Sequence, residues 1–452
     1  MWFRKKAKGA PPSILSCDAA SLGVVFTGRP GSGKSTGLRL LMADLALQGC
    51  IILWTAIKPD EADVAASVLP NAIRFSPESH RFNPIQYEMS RIGGSASNLA
   101  AFHDDLSEVL TRADGQKQEA FWKGGAHDTL THAIELAYHV RKIQGKQATY
   151  EDVYDIIMTS ATDLAMAKSP AFCETPCGLF LEALGSHAPD IAKKYVDWFL
   201  YRLPSVGEKA NGAFRTQAIN SIKPFLHGPI AKLVNGESSV TPEQMLEQHT
   251  ILDLDTLTYG IGGLAFQLMM SWLCMEAVLR RKGDFPYFAL VRDEYHQLAH
   301  PERDVRTQSV GRSQKFIGVT AFQTIPVLEA ALSGSVEAQV QAKALYGLHV
   351  NKFMMNNNCH VTNEFNSMVI GQEKVMFHGM AMNKQQPEQL AWYDIFGVGA
   401  VPNFNFSQQW HFRVPPTAFM QLATGGPDDN WTCEAILHRG VDGYEFHSFK
   451  QR

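Results

Sequence analysis

Gly28-Arg29-Pro30-Gly31-Ser32-Gly33-Lys34-Ser35-Thr36 carries the spacing G-x-x-x-x-G-K-[ST], and its reading decides the fold. The preceding run, Leu22-Gly23-Val24-Val25-Phe26-Thr27, reads as a short buried strand. The following run, Leu38 to Ala46, repeats apolar residues at helical spacing. Strand, Gly-rich turn and helix in that order aim the backbone N–H groups of Gly31, Ser32, Gly33 and Lys34 at one point. That point is a helix N-terminus, whose dipole also favours anions. Gly28 opens the turn and Thr36 closes the motif. In this pattern Lys34 reaches the β- and γ-phosphates of a nucleoside triphosphate and the Ser35 hydroxyl sits on Mg²⁺. ATP and Mg²⁺ are therefore the expected cofactors.

The chain has 452 residues, with 41 Lys and Arg against 45 Asp and Glu, and a formal net charge of -4. That balance gives no global basic signature, so contact with a nucleic acid must come from a local patch or a pore lined by several subunits. Seven cysteines are scattered, and only Cys173 and Cys177 lie close together. This excludes a disulfide framework and fits a reducing, cytoplasmic setting. The basic start, Met1 to Lys8, has no apolar stretch after it and is no signal peptide. Gly260 to Leu279 approaches membrane-spanning length, yet carries Gln267, Ser271 and Glu276 and lies between strand-like segments. It is expected to be a buried helix, leaving the chain without a membrane span.

Further strands are expected at Ile51–Thr55, which runs on to Lys58-Pro59-Asp60, and at Asn71–Phe75, Thr250–Leu254, Tyr287–Val291, Lys315–Ala321 and Ala344–Val350. Between about Ser97 and Asn235 the pattern turns helical, as in Phe121, Trp122, Ala126, Leu130, Ala133, Ile134 and Ala137. Strands alternating with helices imply a mostly parallel sheet. The expected fold is thus α/β, a phosphate-loop domain interrupted by an all-α insertion. The α/β domain would occupy residues 1–97 and 236–452, and the insertion residues 98–235.

Hydrolysis needs a carboxylate for the metal shell and a base for water. Tyr287-Phe288-Ala289-Leu290-Val291-Arg292-Asp293-Glu294 supplies both after an apolar run. Asp293 is expected to hold Mg²⁺ and Glu294 to polarise the attacking water. Asp253 and Asp255 are the rival carboxylates.

Four stretches in order resemble the conjugative coupling proteins of type IV secretion (TraG/TraD-like), within the HerA/FtsK superfamily of motor ATPases. They are the Gly28–Thr36 loop; Ser79-His80-Arg81-Phe82-Asn83-Pro84-Ile85; Glu208 to Phe214 running on to Pro224-Phe225-Leu226; and Asp293-Glu294-Tyr295 followed by Gly311-Arg312 and Gly318 to Gln323. The resemblance implies that the α/β domain is a RecA-like P-loop motor, in a hexameric ring that hydrolyses ATP at subunit interfaces and moves DNA through a central pore. It makes Gln323 the sensor of the γ-phosphate, and Arg312 the arginine that completes a neighbour's site, with Arg303 and Arg306 as competitors. Coupling proteins usually carry N-terminal membrane helices, and here the loop comes soon after Met1. The resemblance therefore implies recruitment by a membrane, relaxosome or secretion partner, or a free cytosolic ring. Arg292 stands where the family usually has an apolar residue.

The function expected is an ATP-driven DNA translocase for plasmid, phage or mobile-element transfer, on single- or double-stranded DNA. Two alternatives keep the motor: a HerA-like partner of a nuclease in DNA processing or phage defence, and a genome-packaging ATPase. A third is a nucleotide-gated assembly or protein-export component that binds ATP as a structural switch and moves no DNA.

Overall fold

The computed structural model describes residues 13–112, 120–382 and 402–451. By packing, the chain forms two units. One is Met1–Phe26 with Lys34–Lys352; the other is Thr27–Gly33 with Phe353–Arg452.

A nine-stranded sheet carries the fold. Its strands are β1 (Val24–Thr27), β2 (Ile51–Ala56), β3 (Ile73–Phe75), β4 (Thr250–Asp253), β5 (Phe288–Arg292), β6 (Phe316–Phe322), β7 (Asn351–Met355), β10 (Thr432–Arg439) and β11 (Tyr444–Lys450), and a separate pair is formed by β8 (Gln372–Met382) and β9 (Pro402–Phe412). The order is β11-β10-β7-β1-β6-β5-β2-β4-β3. The pairs β3/β4, β4/β2, β2/β5 and β5/β6 are parallel, and β10/β11 is antiparallel. β1, β5 and β6 are buried at every position, which explains their unbroken apolar runs. The mostly parallel α/β fold is thus as the alternation implied.

Among the described residues, no strand lies between Phe75 and Thr250, only helices. Local signals set their ends. Asn83 accepts from the Gln86 N–H at 2.9 Å and starts the helix Pro84–Ser90, with Pro84 in its first turn. The Asn83 side chain also donates to Ala148 O at 2.9 Å, so this Phe-Asn-Pro stretch is a structural clip. Phe214, on the helix Glu208–Ile222, packs so closely on Gly125 that a β-carbon there would meet its ring at 2.3 Å.

The apolar stretch expected as a buried helix is the helix Thr256–Arg280. It passes the length and hydropathy test for a membrane span, and 83% of that window is buried inside the fold. Gln267 is satisfied there by donating to Ala56 O and Leu254 O, at 2.9 and 2.8 Å. This helix ties the sheet to the helical segment. One continuous core joins Leu53, Phe288 and Leu290 to Phe266 and Trp272, and on to Tyr150 and Phe214. Each such fully buried side chain contributes roughly 1.5–3 kcal/mol.

One strand expectation fails. Ala344–Val350 is the end of the helix Val336–Gly347 and the turn after it, and the strand begins at Asn351. Ala338, Ala342, Leu345 and Tyr346 are buried at helical spacing, and Ser335 caps the helix by accepting from Ala338 N–H. The strand was masked by Asn351 and Lys352. Both are buried: Asn351 donates to Ala19 O and Gly23 O at 2.8 and 3.1 Å, and Lys352 donates to His349 O.

In the C-terminal unit, β8 and β9 form an antiparallel ladder from Gln372↔Phe412 to Met382↔Pro402. Trp410 is exposed on it, whereas Phe419 belongs to a small core with Met354, Ile370, Val414, Leu422 and Ile436.

Candidate nucleotide site

The first half of the phosphate loop belongs to the C-terminal unit. Arg29 donates its backbone N–H to Asn356 O at 2.9 Å and its Nε to Asn356 Oδ1 at 2.7 Å. Asn356 is itself fixed by donating to Met420 O and Leu422 O, at 3.0 and 2.7 Å. Gly31 and Gly33 have φ of +76° and +91°, the region that favours glycine. A β-carbon on Gly31 would meet nothing within 4 Å, but one on Gly33 would meet Cys433 Sγ at 2.5 Å. The Ser32 hydroxyl is buried here without a hydrogen-bond partner. Such an orphan fits an absent phosphate oxygen.

The second half opens the helix Lys34–Leu47. Lys34 is buried, Ser35 exposed and Thr36 half-buried. The Ser35 hydroxyl lies 3.4 Å from Asp293 Oδ2. Asp293 and Glu294 follow β5 directly, as the sequence predicts. A hydroxyl and a carboxylate side by side are the oxygen donors a hard divalent cation takes. The residues fit Mg²⁺.

Lys58 completes this cluster. Its Nζ is 3.0 Å from Asp293 Oδ2 and 2.7 Å from Glu294 Oε1. Burial works to raise the Glu294 carboxyl, but the Lys58 hydrogen bond and charge, with His296 and Lys34, hold it below its ordinary value. Burial lowers Lys34, against the pull of Asp293 and Glu294. Burial would also lower Lys58, yet the two carboxylates raise it above the usual lysine value. Each charge therefore steadies its neighbours.

Glu294 sits at φ 49°, ψ 44°, a left-handed conformation uncommon for a side chain of this kind. Its Oε2 is 3.5 Å from His296 Nδ1, and neither atom makes a hydrogen bond. The segment beyond is held by Arg112, which donates to His296 O and Ala299 O at 3.0 and 2.7 Å. Behind it, Arg292 is buried and pairs with Asp304 at 2.5 Å. The other Asp304 oxygen accepts from Tyr295 OH and His300 N–H, at 2.7 and 3.0 Å. An arginine therefore stands in an apolar strand position because a paired carboxylate is buried opposite it.

The remaining candidates separate. In the β5/β6 register Arg292 is level with Thr320, so Gln323 leaves the same C-terminal edge as Asp293. Arg312 lies four residues before Phe316, the β6 residue level with the start of β5, and is exposed at the opposite edge. Of its competitors, Arg303 is bound to Asp105 at 2.6 Å and lies over the Phe102 and Trp272 rings, while Arg306 reaches Glu276 at 3.5 Å. Asp253 pairs with Arg74 at 2.6 Å, and Asp255 caps the helix Thr256–Arg280 by accepting from Leu257 and Thr258 N–H at 3.0 and 2.8 Å. Sequence reasoning missed Lys58, noted only as a polar residue after β2, and Asn356.

No family model and no curated protein matches the chain. Solved structures do. The bacterial conjugative coupling protein TrwBdeltaN70, unbound, aligns over 99% of this chain and 90% of its own at 13% identity, with a TM-score of 0.65. The plasmid coupling protein TrwB in complex with ADP and Mg²⁺ aligns over 99% and 89% at 13% identity, with a TM-score of 0.60. TrwB with the ATP analogue ADPNP covers 99% and 90% at 14% identity, with a TM-score of 0.61. The coupling-protein resemblance carried by the four sequence stretches holds at the level of architecture: this chain has the fold of the plasmid coupling protein TrwB.

Proposed function

We propose that the chain is a Mg²⁺-dependent ATPase of the coupling-protein kind, working as a ring, expected to be hexameric, that drives DNA through type IV secretion. The observation that carries this reading is the convergence of Lys34, Ser35, Asp293 and Glu294 at the head of one helix and the end of one buried strand. TrwB, whose fold the chain shares, is a plasmid coupling protein solved with ADP and Mg²⁺ and with ADPNP.

In this proposal the loop N–H groups and Lys34 bind the phosphates, and Ser35 and Asp293 hold Mg²⁺, which neutralises phosphate charge. Glu294, kept ionised by Lys58, takes the proton of the attacking water. Gln323 senses the γ-phosphate from the same sheet edge. Arg312, exposed at the other edge, acts on a neighbouring subunit's site. The helical segment, residues 98–235, receives DNA or a membrane, relaxosome or secretion partner, and the ring works on the cytoplasmic side. Pore-lining cations that follow the phosphate backbone would give a grip tolerant of sequence and sensitive to salt.

Steady-state ATP hydrolysis, with and without single- and double-stranded DNA over a salt series, tests this. DNA stimulation that fades as salt rises is the expected result, with Lys34→Ala inactive throughout. Turnover indifferent to both DNA forms at every salt concentration removes the translocase and leaves the ATPase.

A further inference from the structure

Lys58 is a charged group of the cluster that lies outside the phosphate-loop motif and the acidic pair. It stands two residues past β2, on the turn Ile57-Lys58-Pro59-Asp60. The turn is built to present it. Buried Glu61 accepts from the backbone N–H groups of Ile57 and Lys58, at 2.9 and 3.2 Å, through one oxygen. Through the other it accepts from the Trp54 indole at 2.9 Å. A buried carboxylate thus fixes the backbone that carries the amine, and the amine ends between two further carboxylates.

Its charge acts through its position. Asp293 Oδ2 is the atom nearest the Ser35 hydroxyl, at 3.4 Å, and the same atom receives Lys58 Nζ at 3.0 Å. A divalent cation held by Ser35 and Asp293 must therefore share or take over an oxygen that the lysine already holds. Asp293 and Glu294 are almost fully buried, with side chains 3% and 12% exposed, so two adjacent unpaired carboxylates would repel each other with little water to screen them. Lysine suits an exchange: it is a point charge on a flexible stem and can release one partner while keeping another.

We propose that Lys58 is a resident counter-cation of the acidic pair. It holds Asp293 and Glu294 while the metal position is empty of divalent cation, gives up Asp293 Oδ2 when the metal arrives, and stays on Glu294 as a positioning residue. The proposal rests on the reading of Ser35 and Asp293 as metal ligands. In consequence the nucleotide-free protein resists divalent cations, so that metal enters chiefly with the nucleotide.

Mn²⁺ is the probe, with free Mn²⁺ counted by electron paramagnetic resonance in the nucleotide-free full chain. Lys58→Met should bind Mn²⁺ roughly tenfold more tightly than wild type, the scale of removing one adjacent charge from a buried site. Lys58→Arg, which keeps the charge, should stay near wild type, and adding Asp293→Asn to Lys58→Met should erase the gain. Damage to the fold loosens metal binding, so tightening cannot arise from it; Lys58→Gln serves if the Met variant does not fold. Equal affinity in wild type and both neutral variants overturns the proposal, as does a gain that survives Asp293→Asn. The count needs neither ATP nor turnover. A wild-type protein that binds no ATP, with the Lys58→Met gain in Mn²⁺ affinity still present and still erased by Asp293→Asn, would sink the ATPase reading and uphold the exchange.

Discussion

β4 and β5 flank β2 as parallel neighbours, and each leads into carboxylates: Asp253 as the last residue of β4 with Asp255 just beyond it, and Asp293 and Glu294 directly after β5. The two ends are put to different use. Asp253 meets Arg74, which is about half exposed and also binds Asp63 at 2.7 Å, while Asp255 supplies a helix cap. Both acids are absorbed by local structure. Asp293 and Glu294 instead face Lys58 and Ser35 from a nearly dry position, with Glu294 in a left-handed backbone conformation. An acid at a strand end is thus sorted by its partners: a cap or a surface arginine marks architecture, and convergent cations beside a hydroxyl fit the proposed chemistry.

Substitutions that exchange the two ends give the sharpest contrast. Glu294→Gln should lower ATP turnover by about 10²–10⁴-fold, the usual contribution of a positioned base, while ATP binding measured by calorimetry persists. Asp255→Asn, which keeps an acceptor oxygen at the helix cap, should leave turnover in the same assays within about twofold. A dead Asp255→Asn with normal melting would break the comparison. The next largest effect lies behind β5. Asp304→Ala leaves Arg292 buried and unpaired and should cost about 3–5 kcal/mol in urea unfolding, with Arg292→Met/Asp304→Leu recovering much of it. Asp255→Ala should cost about 1 kcal/mol in the same measurement, as loss of a cap does. Asp253→Asn breaks a largely exposed pair and should move stability by less than about 0.5 kcal/mol, shrinking further in high salt.

What the sequence discloses is what is local. The phosphate loop and the acidic end of β5 are spelled by contiguous residues, and the helix Thr256–Arg280 by its own apolar length. The strand after Val336–Gly347 is hidden, because Asn351 and Lys352 look like surface residues until Gly23 O and His349 O are found to take their hydrogens. Lys58 is hidden for a related reason. Its partners lie 235 and 236 positions along the chain, and nothing beside Lys58 announces them. Asn356 likewise holds a residue more than 300 positions away. Arg292 shows the opposite case: it looks like a flaw in a buried strand until Asp304 accounts for it.

The two inner glycines of the phosphate loop are unequal letters in the same word. At Gly31 selection acts only on backbone torsion, so residues that tolerate a left-handed conformation stand nearer to acceptable there. At Gly33 torsion and space act together, because Cys433 fills the room a side chain would need. The freedom of position 33 to vary is therefore written partly at position 433, and the two should drift as a pair among this chain's descendants.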